Sequence, residues 1–403
     1  MVSVTRAGRD RVVLASVIFA VLLAQVLLYP GIAEIVDALG ASTDLDPSMW
    51  FLVSEFAGFV LFAGLWGALS DRTGRRTPFV AVGSLGGATG YLLLATLPTA
   101  GVELGFASVL VVRFLQGAFT IAAFSLAITM LMDLPGGRGA NMGAAGLAIG
   151  LGTASGAPIG GQLAGITPLA PLAVAGVLLL AVVPLLALVT DRAPRSRRNG
   201  VREVLSGLSR TPTLALPYTF GFVDRLTAGF FSLTGVFYFR EVFGLDPAET
   251  GIVLALFFVP FALLQFPMGM LSDRIGRTIP IVLGSVCYGG AIAFVGIAPS
   301  LTLASGGMVL VGVLGAFMAP ATMALVTDLA DDGERASAMA GFNVAGSLGF
   351  LTGFLVGGTV ATAYGYLAAF LVVAAMEAVI ALVAVPLFLR VEIPIDPSFQ
   401  PER

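Results

Sequence analysis

The chain has 403 residues, of which 57% are hydrophobic and only 11% are charged, and its mean hydropathy is +0.98. Soluble proteins carry about 25% charged residues, so this composition excludes a soluble globular protein. It predicts instead an all-α protein that crosses a membrane many times. Histidine is absent and Cys287 is the single cysteine, which excludes an internal disulfide bond and a cysteine–histidine metal centre.

Apolar segments long enough to span a bilayer follow one another along the whole chain. We predict twelve transmembrane helices, at 12–38, 47–69, 79–98, 103–132, 140–163, 169–189, 212–240, 248–271, 279–298, 301–328, 337–360 and 364–389. The long connection after the sixth segment divides the chain into an N-terminal half (1–189), a basic linker (190–211) and a C-terminal half (212–403). Its apolar residues have helical spacing, which fits either a helix on the membrane surface or a solvated linker.

The arginines indicate the orientation of these segments. All 21 basic residues are arginine, and 18 of them fall in segments on one side when the spans are threaded in order. Basic residues accumulate on the cytoplasmic side of membrane proteins. The sequence therefore predicts cytoplasmic N- and C-termini.

A charged turn after the second segment recurs 202 residues later. The matching residues are Gly67, Leu69, Ser70, Asp71, Arg72, Gly74, Arg75 and Pro78 in the first copy, and Gly269, Leu271, Ser272, Asp273, Arg274, Gly276, Arg277 and Pro280 in the second. A further repeat relates Asp133, Gly152 and Gly156 to Asp328, Gly349 and Gly353. Such repeats predict two pseudo-symmetric six-helix bundles of parallel orientation.

The first turn resembles the G-x-x-x-D-R-x-G-R-R signature of the major facilitator superfamily, and the resemblance extends over essentially the whole chain. It implies that the turn is a cytoplasmic gate, a network of charges that holds one state of a transporter. The residues expected to form the gate are Gly67, Asp71, Arg72, Arg75, Arg76, Asp133, Asp273, Arg274 and Arg277. We expect Gly67 to allow close packing, and Arg75 and Arg76 to reach Asp133. Thr278 replaces Arg76 in the second copy, so we expect that copy to be the weaker one.

The fourth segment contains Arg113-Phe-Leu-Gln116-Gly117, which resembles a family signature associated with proton-driven members. An arginine this deep costs at least about 2.5–3.5 kcal/mol unless it has a partner or faces water. Glu55 in the second segment is the expected counter-charge. The pair is either a proton-linked site or a structural ion pair that braces the bundle.

The fifth segment is rich in glycine and resembles the glycine–proline signature of the family's antiporters, with the proline one place later than usual. Its helix-packing motif comprises Gly150, Gly156, Pro158, Gly160 and Gly161. Small residues let a neighbouring helix approach closely, so plain helix packing is the alternative interpretation.

The remaining buried polar residues are candidates for the transport site. We predict that a proton is carried by one of three acids: Glu55, Asp224 or Glu377. The candidates for lining a substrate cavity are Gln25, Tyr29, Arg113, Gln116, Arg225, Gln265 and Asn343. Many aromatic residues and few fixed charges favour a lipophilic or amphiphilic solute.

These observations predict a secondary transporter in the cell membrane that exports such a solute in exchange for protons, with sodium left open as the coupling ion. The alternative is a symporter or uniporter that imports a small polar or anionic metabolite, with Arg113 and Arg225 as anion anchors. A non-transporting membrane sensor is a third possibility. We expect a monomer that is not an enzyme and that needs no cofactor, metal or nucleic acid, since no nucleotide-binding loop is present.

Overall fold

The computed structural model describes residues 2–102, 104–135, 138–191, 210–330 and 335–388, and these residues form helices joined by short turns. The first helices are α1 (Val2–Val26), α2 (Ile32–Ala38), α3 (Leu45–Thr73), α4 (Thr77–Thr96), α5 (Phe106–Met132), α6 (Arg138–Ile166) and α7 (Ala170–Val182), with a 3₁₀ turn at Pro184–Leu188. A 3₁₀ turn at Pro212–Leu214 precedes α8 (Ala215–Phe230), a π-helical turn (Phe231–Gly235), α9 (Val236–Phe243), α10 (Pro247–Ile275), α11 (Thr278–Ile297), α12 (Leu301–Leu329), α13 (Arg335–Tyr364) and α14 (Tyr366–Phe388).

Helices occupy most of the described residues. Nine helices in the described part of the chain are long and apolar enough to cross a membrane. The structure is therefore an all-helical membrane protein. The basic linker predicted at 190–211 falls mostly outside the described residues.

Two predicted spans are interrupted rather than continuous. The first breaks at residues 27–31, between α1 and α2, where Pro30 lacks a backbone donor. The seventh changes from α8 to α9 through the π-helical turn Phe231–Gly235. Turns of this kind occur frequently at functional sites, and hydropathy does not reveal either interruption.

The chain divides into two compact units. Unit 1 comprises Met1–Gly200 and Phe239–Ala255, and unit 2 comprises Val201–Tyr238 and Leu256–Arg403. Residues 239–255 belong to unit 1. In unit 1, α5 packs against α3 and α4, and α1 packs against α6; in unit 2, α8 packs against α13, and α11 against α12 and α14.

The repeated charged turn ends a long helix in both copies. Gly74 follows α3 with φ of 63°, and Gly276 follows α10 with φ of 85°. Only glycine adopts such backbone angles without a steric cost. The glycines of the two turns therefore reverse the chain so that α4 and α11 can begin immediately.

A column of glycines on α6 brings it against α1. A Cβ atom at Gly160 would overlap the carbonyl oxygen of Leu27, and one at Gly156 would lie 2.7 Å from Val26 Cβ. Gly161 faces another partner, the backbone at Pro247, which is also in unit 1. These three glycines lie at close helix contacts, while Pro158 lies inside α6 and Gly150 is buried.

Unit 2 repeats this contact with the equivalent residues. A Cβ atom at Gly349 would overlap the carbonyl oxygen of Phe222, and one at Gly353 would overlap that of Leu226. The glycines that recur in the sequence thus place α13 on α8 as they place α6 on α1. Close backbone contact of this kind substitutes for the hydrophobic effect, which does not drive helix association in lipid.

We expect Gly160→Ala to destabilise the protein by about 1–3 kcal/mol, because the added methyl group would force α1 away from α6. The measurement is the thermal unfolding temperature of the purified protein in detergent. Gly146→Ala is the matched control on the same helix, since a Cβ atom there meets nothing within 4 Å. Equal unfolding temperatures for the two variants would contradict the packing role.

Candidate functional site

The charged turn of unit 1 is a network centred on Arg76. Its side chain is only 2% exposed and bonds Asp133 through Nη1, while Nη2 lies 3.4 Å from Asp71 Oδ1. Asp191 Oδ2 accepts hydrogen bonds from the backbone nitrogens of Arg76 (2.8 Å) and Thr77 (3.0 Å). Asp191 thereby caps the positive end of α4. The network joins α3, α4 and α5 to Asp191, which lies just beyond the 3₁₀ turn Pro184–Leu188.

The turn of unit 2 forms the same kind of network, but its arginine is one position earlier in the repeat than Arg76 is in unit 1. Arg277 Nε lies 3.0 Å from Asp328 Oδ2, and Nη1 bonds Asp273 and the hydroxyl of Ser272. Burial lowers the pKa of Arg277, but hydrogen bonds and charge attraction from Asp328 and Asp273 outweigh burial and raise that pKa overall. Arg277 therefore remains charged at any physiological pH.

Three expectations about the turns are corrected. Arg75 does not reach Asp133: it is exposed and forms no ion pair with a described residue, because Arg76 occupies that place. The second network is not a reduced copy, since Arg277 bridges two carboxylates as Arg76 does. Gly67 is not closely packed against the described residues, since a Cβ atom there would meet nothing within 4 Å. Arg72 and Arg274 are exposed.

The core of unit 1 contains a fully buried charged cluster, which we call the Glu55 site. Arg113 Nη2 donates to Glu55 Oε2, and both side chains are 0% exposed. Arg113 Nη1 donates to Gln116 Oε1 (2.5 Å), and the Tyr91 hydroxyl lies 3.3 Å from Glu55 Oε1. The predicted pairing of Arg113 with Glu55 is present, and the charges of the two side chains balance each other.

The signature on α5 is explained by this contact. Gly117 faces the backbone of Glu55, where a Cβ atom would overlap the Glu55 carbonyl oxygen. Gln116 Nε2 also donates to Thr120 Oγ1 at 2.7 Å, which orients its carbonyl oxygen toward Arg113. The arginine, glutamine and glycine of the motif therefore all act at the crossing of α5 and α3.

The helix break after α1 contributes to the same region. Tyr29 is buried and interacts electrostatically with Glu55, Tyr91 and Arg113. Gln25 is 5% exposed, and its Nε2 has no hydrogen-bond partner among the described residues. These two cavity candidates of α1 are thus buried polar groups, with Tyr29 at the Glu55 site.

Unit 2 holds a different buried cluster, which we call the Glu377 cluster: Asp224 and Thr227 on α8, Tyr288 on α11 and Glu377 on α14. Glu377 is 1% exposed and accepts a hydrogen bond of 3.0 Å from the Thr227 hydroxyl. Asp224 is three residues before Thr227 on α8, and Tyr288 directly precedes Gly289, where α11 meets α14 at Glu377. The two acids that the sequence suggested separately therefore lie on helices that meet at the Thr227–Glu377 hydrogen bond.

The other cavity candidates are less buried than these clusters. Arg225 has a 43% exposed side chain, and its Nε lies 3.9 Å from Asp224 Oδ2, which is a weak contact. Gln265 on α10 is half-buried, and Asn343 on α13 is exposed. No side-chain hydrogen bond joins either amide to another described residue.

Unit 1 also contains an ion pair that the sequence did not indicate. Arg240 on α9 binds both carboxylate oxygens of Glu34 on α2, with Nη1 2.7 Å from Oε2. A bidentate pair of this geometry is strong and directional. It ties residues 239–255 to the helix that follows the break at 27–31.

Sequence reasoning missed several functional neighbours because they are uncharged or distant along the chain. Tyr91, Thr227 and Tyr288 resemble ordinary span residues, and Asp191 lies at the start of a linker. Asp328 could have been found from the sequence, because it aligns with Asp133 in the repeat.

The two turn networks generate a prediction about stability. Arg76→Gln and Arg277→Gln should each destabilise the protein by about 1–3 kcal/mol, because each leaves two carboxylates without their shared donor. Arg75→Gln is the matched control and should unfold at the wild-type temperature. If Arg277→Gln also behaved as wild type, the second network would be the weaker one after all.

The Glu55 site generates a second prediction. Arg113→Leu alone should cost about 3–5 kcal/mol of stability, because an unpaired carboxylate remains in the core. The double variant Glu55→Leu with Arg113→Leu should recover much of this loss, since no unpaired charge remains. Thermal unfolding of the two single variants and the double variant measures the coupling, and strictly additive losses would contradict it.

Comparison with known proteins agrees with this architecture. The chain is 27% identical to the class G tetracycline resistance protein of Vibrio anguillarum over 62% of its length, and 32% identical to the D-galactonate transporter of Escherichia coli over 29%. It is 31% identical to the multidrug efflux pump LfrA of Mycolicibacterium smegmatis over 26% of its length. The matches span 66%, 28% and 21% of those relatives' own lengths.

The fold is also found in solved structures. A bacterial homologue of the human lysosomal transporter Spinster superposes with a TM-score of 0.77 at 16% identity, over 96% of this chain and 98% of that one. The family model of the Major Facilitator Superfamily matches residues 14–239 and 218–403. With its paired charged turns and repeated helix contacts, the chain belongs to the Major Facilitator Superfamily of transporters.

Proposed function

We propose that this transporter exports a lipophilic or amphiphilic solute in exchange for protons, by alternating access between two six-helix halves. It would cross the cell membrane twelve times as a monomer, with both termini in the cytoplasm. Two relatives support the direction, since one is named for tetracycline resistance and one for multidrug efflux. The apolar and aromatic composition of the spans supports the class of solute.

The observation that carries the proton coupling is the burial of Glu377. This acid is 1% exposed, and it accepts a hydrogen bond from the neutral hydroxyl of Thr227. A carboxyl group inside a transmembrane bundle without a paired cation is a functional candidate. Glu55 is also a candidate, but Arg113 already balances its charge, so we favour Glu377 and its neighbour Asp224.

The turn networks would control which side of the transporter is open. Arg76 and Arg277 each link two carboxylates on different helices, so each network can hold its helices together in one state and release them in another. We propose that Asp71 and Asp273 act in this gate through their arginines. Arg72, Arg75 and Arg274 are exposed and would contribute through their positive charge at the cytoplasmic surface.

The second candidate function is import of a small polar or anionic metabolite. It is favoured by the partly exposed guanidinium of Arg225 and by the similarity to a D-galactonate transporter. Arg113 supports it less, because Glu55 and Gln116 occupy its guanidinium. Uptake of an organic anion that is lost in Arg225→Gln would favour import over export.

The export proposal predicts a dependence on the proton gradient. In proteoliposomes, an imposed pH gradient should drive movement of a lipophilic test solute such as tetracycline against its concentration gradient. Glu377→Gln should abolish this uphill movement while downhill exchange continues, because the neutral amide cannot release a proton. Thr219→Val on the exposed face of α8 is the control. Uphill transport that ignores the pH gradient would contradict proton coupling.

A further inference from the structure

The Glu377 cluster brings oxygen atoms from three helices together. Asp224 and Thr227 are three residues apart on α8 and so share one face of it. Glu377 lies where α14 crosses α11, since a Cβ atom at Gly289 on α11 would be 3.4 Å from Glu377 Cβ. Thr227 reaches Glu377 from α8 with a hydrogen bond of 3.0 Å. The cluster thus contains two carboxyl groups and two hydroxyl groups.

One of these hydroxyl groups forms no hydrogen bond within the described part of the chain. The Tyr288 oxygen is buried and has no hydrogen-bond partner there, although the side chain interacts electrostatically with both Asp224 and Glu377. Buried polar atoms are nearly always satisfied in folded proteins. Tyr288 directly precedes Gly289, where α11 meets α14 at Glu377, so its unpartnered hydroxyl oxygen is available to a cation bound at that contact.

The charged residues of the cluster indicate the charge that such a ligand would have. Asp224 and Glu377 bring two negative charges when ionised, and Arg225, 3.9 Å from Asp224, brings one positive charge. Residues 338–363 of α13, the helix packed against α8, contain no charged side chain. With both carboxyl groups ionised, one negative charge is left over in a medium where an unbalanced charge is costly. A single monovalent cation would balance it.

We propose that Asp224, Thr227, Tyr288 and Glu377 form a binding site for one sodium ion. Hard cations take oxygen ligands, and carboxylates with neutral hydroxyls supply them. The π-helical turn that starts four residues after Thr227 disturbs the regular hydrogen bonding of the helix, and interrupted helices are where transporters bind coupling ions. The inference goes beyond the proposed export function, and it needs no transport to be tested.

The experiment is equilibrium dialysis of the purified full chain in detergent against radioactive sodium, in a choline buffer at alkaline pH. We expect saturable binding of about one sodium ion per chain. Asp224→Asn and Glu377→Gln should each weaken binding by at least roughly tenfold, because each removes a charged ligand. Tyr288→Phe keeps the ring and should weaken binding by a smaller factor. Thermal unfolding verifies that each variant is folded.

Thr219→Val on the exposed face of α8 is the discriminating control and should bind sodium as the wild type does. Absence of saturable sodium binding by the folded wild type would overturn the proposal, and so would its loss in Thr219→Val with retention in Glu377→Gln. Either failure leaves proton-driven export intact. Sodium binding without any response of transport to a pH gradient would instead contradict the proposed function alone.

Discussion

The structure depends on one constraint, which is that a charge inside an apolar helical bundle must be balanced by a neighbour within reach. Arg113 satisfies it by bonding Glu55, with the faces of Phe51 and Tyr91 4.6 Å and 5.2 Å from its guanidinium carbon. Gly117 makes the pair possible, because any larger residue would hold α5 away from the Glu55 backbone. The sequence motif, the helix crossing and the ion pair are thus three aspects of one contact.

The two turn networks have the same arrangement of charges, although the bridging arginine comes from a different position of the repeat. Both contain a carboxylate at the end of one long helix and a second carboxylate at the end of another, bridged by an arginine. The bridging arginine is Arg76 in unit 1 and Arg277 in unit 2. In the sequence repeat, however, Arg277 aligns with Arg75 and not with Arg76. A long guanidinium side chain can reach the same point from adjacent positions, whereas a short aspartate cannot. Matching residue by residue therefore underestimated the second network.

Much of the architecture follows from the sequence, because apolar segments, arginine placement and glycine spacing act locally. The pairing of Arg113 with Glu55 could also be predicted, since depth in the membrane restricts the choice of partner. The break at residues 27–31 and the π-helical turn at 231–235 could not, because hydropathy averages over them. Thr227 and Tyr288 escaped notice for another reason: their importance comes from Glu377, which lies on a helix far along the chain.

The two units differ in the charge of their buried clusters, and the proposed ion binding follows from this difference. The Glu55 site is neutral as it stands, with its guanidinium and carboxylate bonded to each other and to Gln116. A site that is already balanced has little affinity for an exchangeable cation. The Glu377 cluster has two acids and one weakly engaged arginine, so it must gain a cation or a proton to become neutral. We infer that ion exchange belongs to unit 2, while the signature arginine of unit 1 braces α5 against α3.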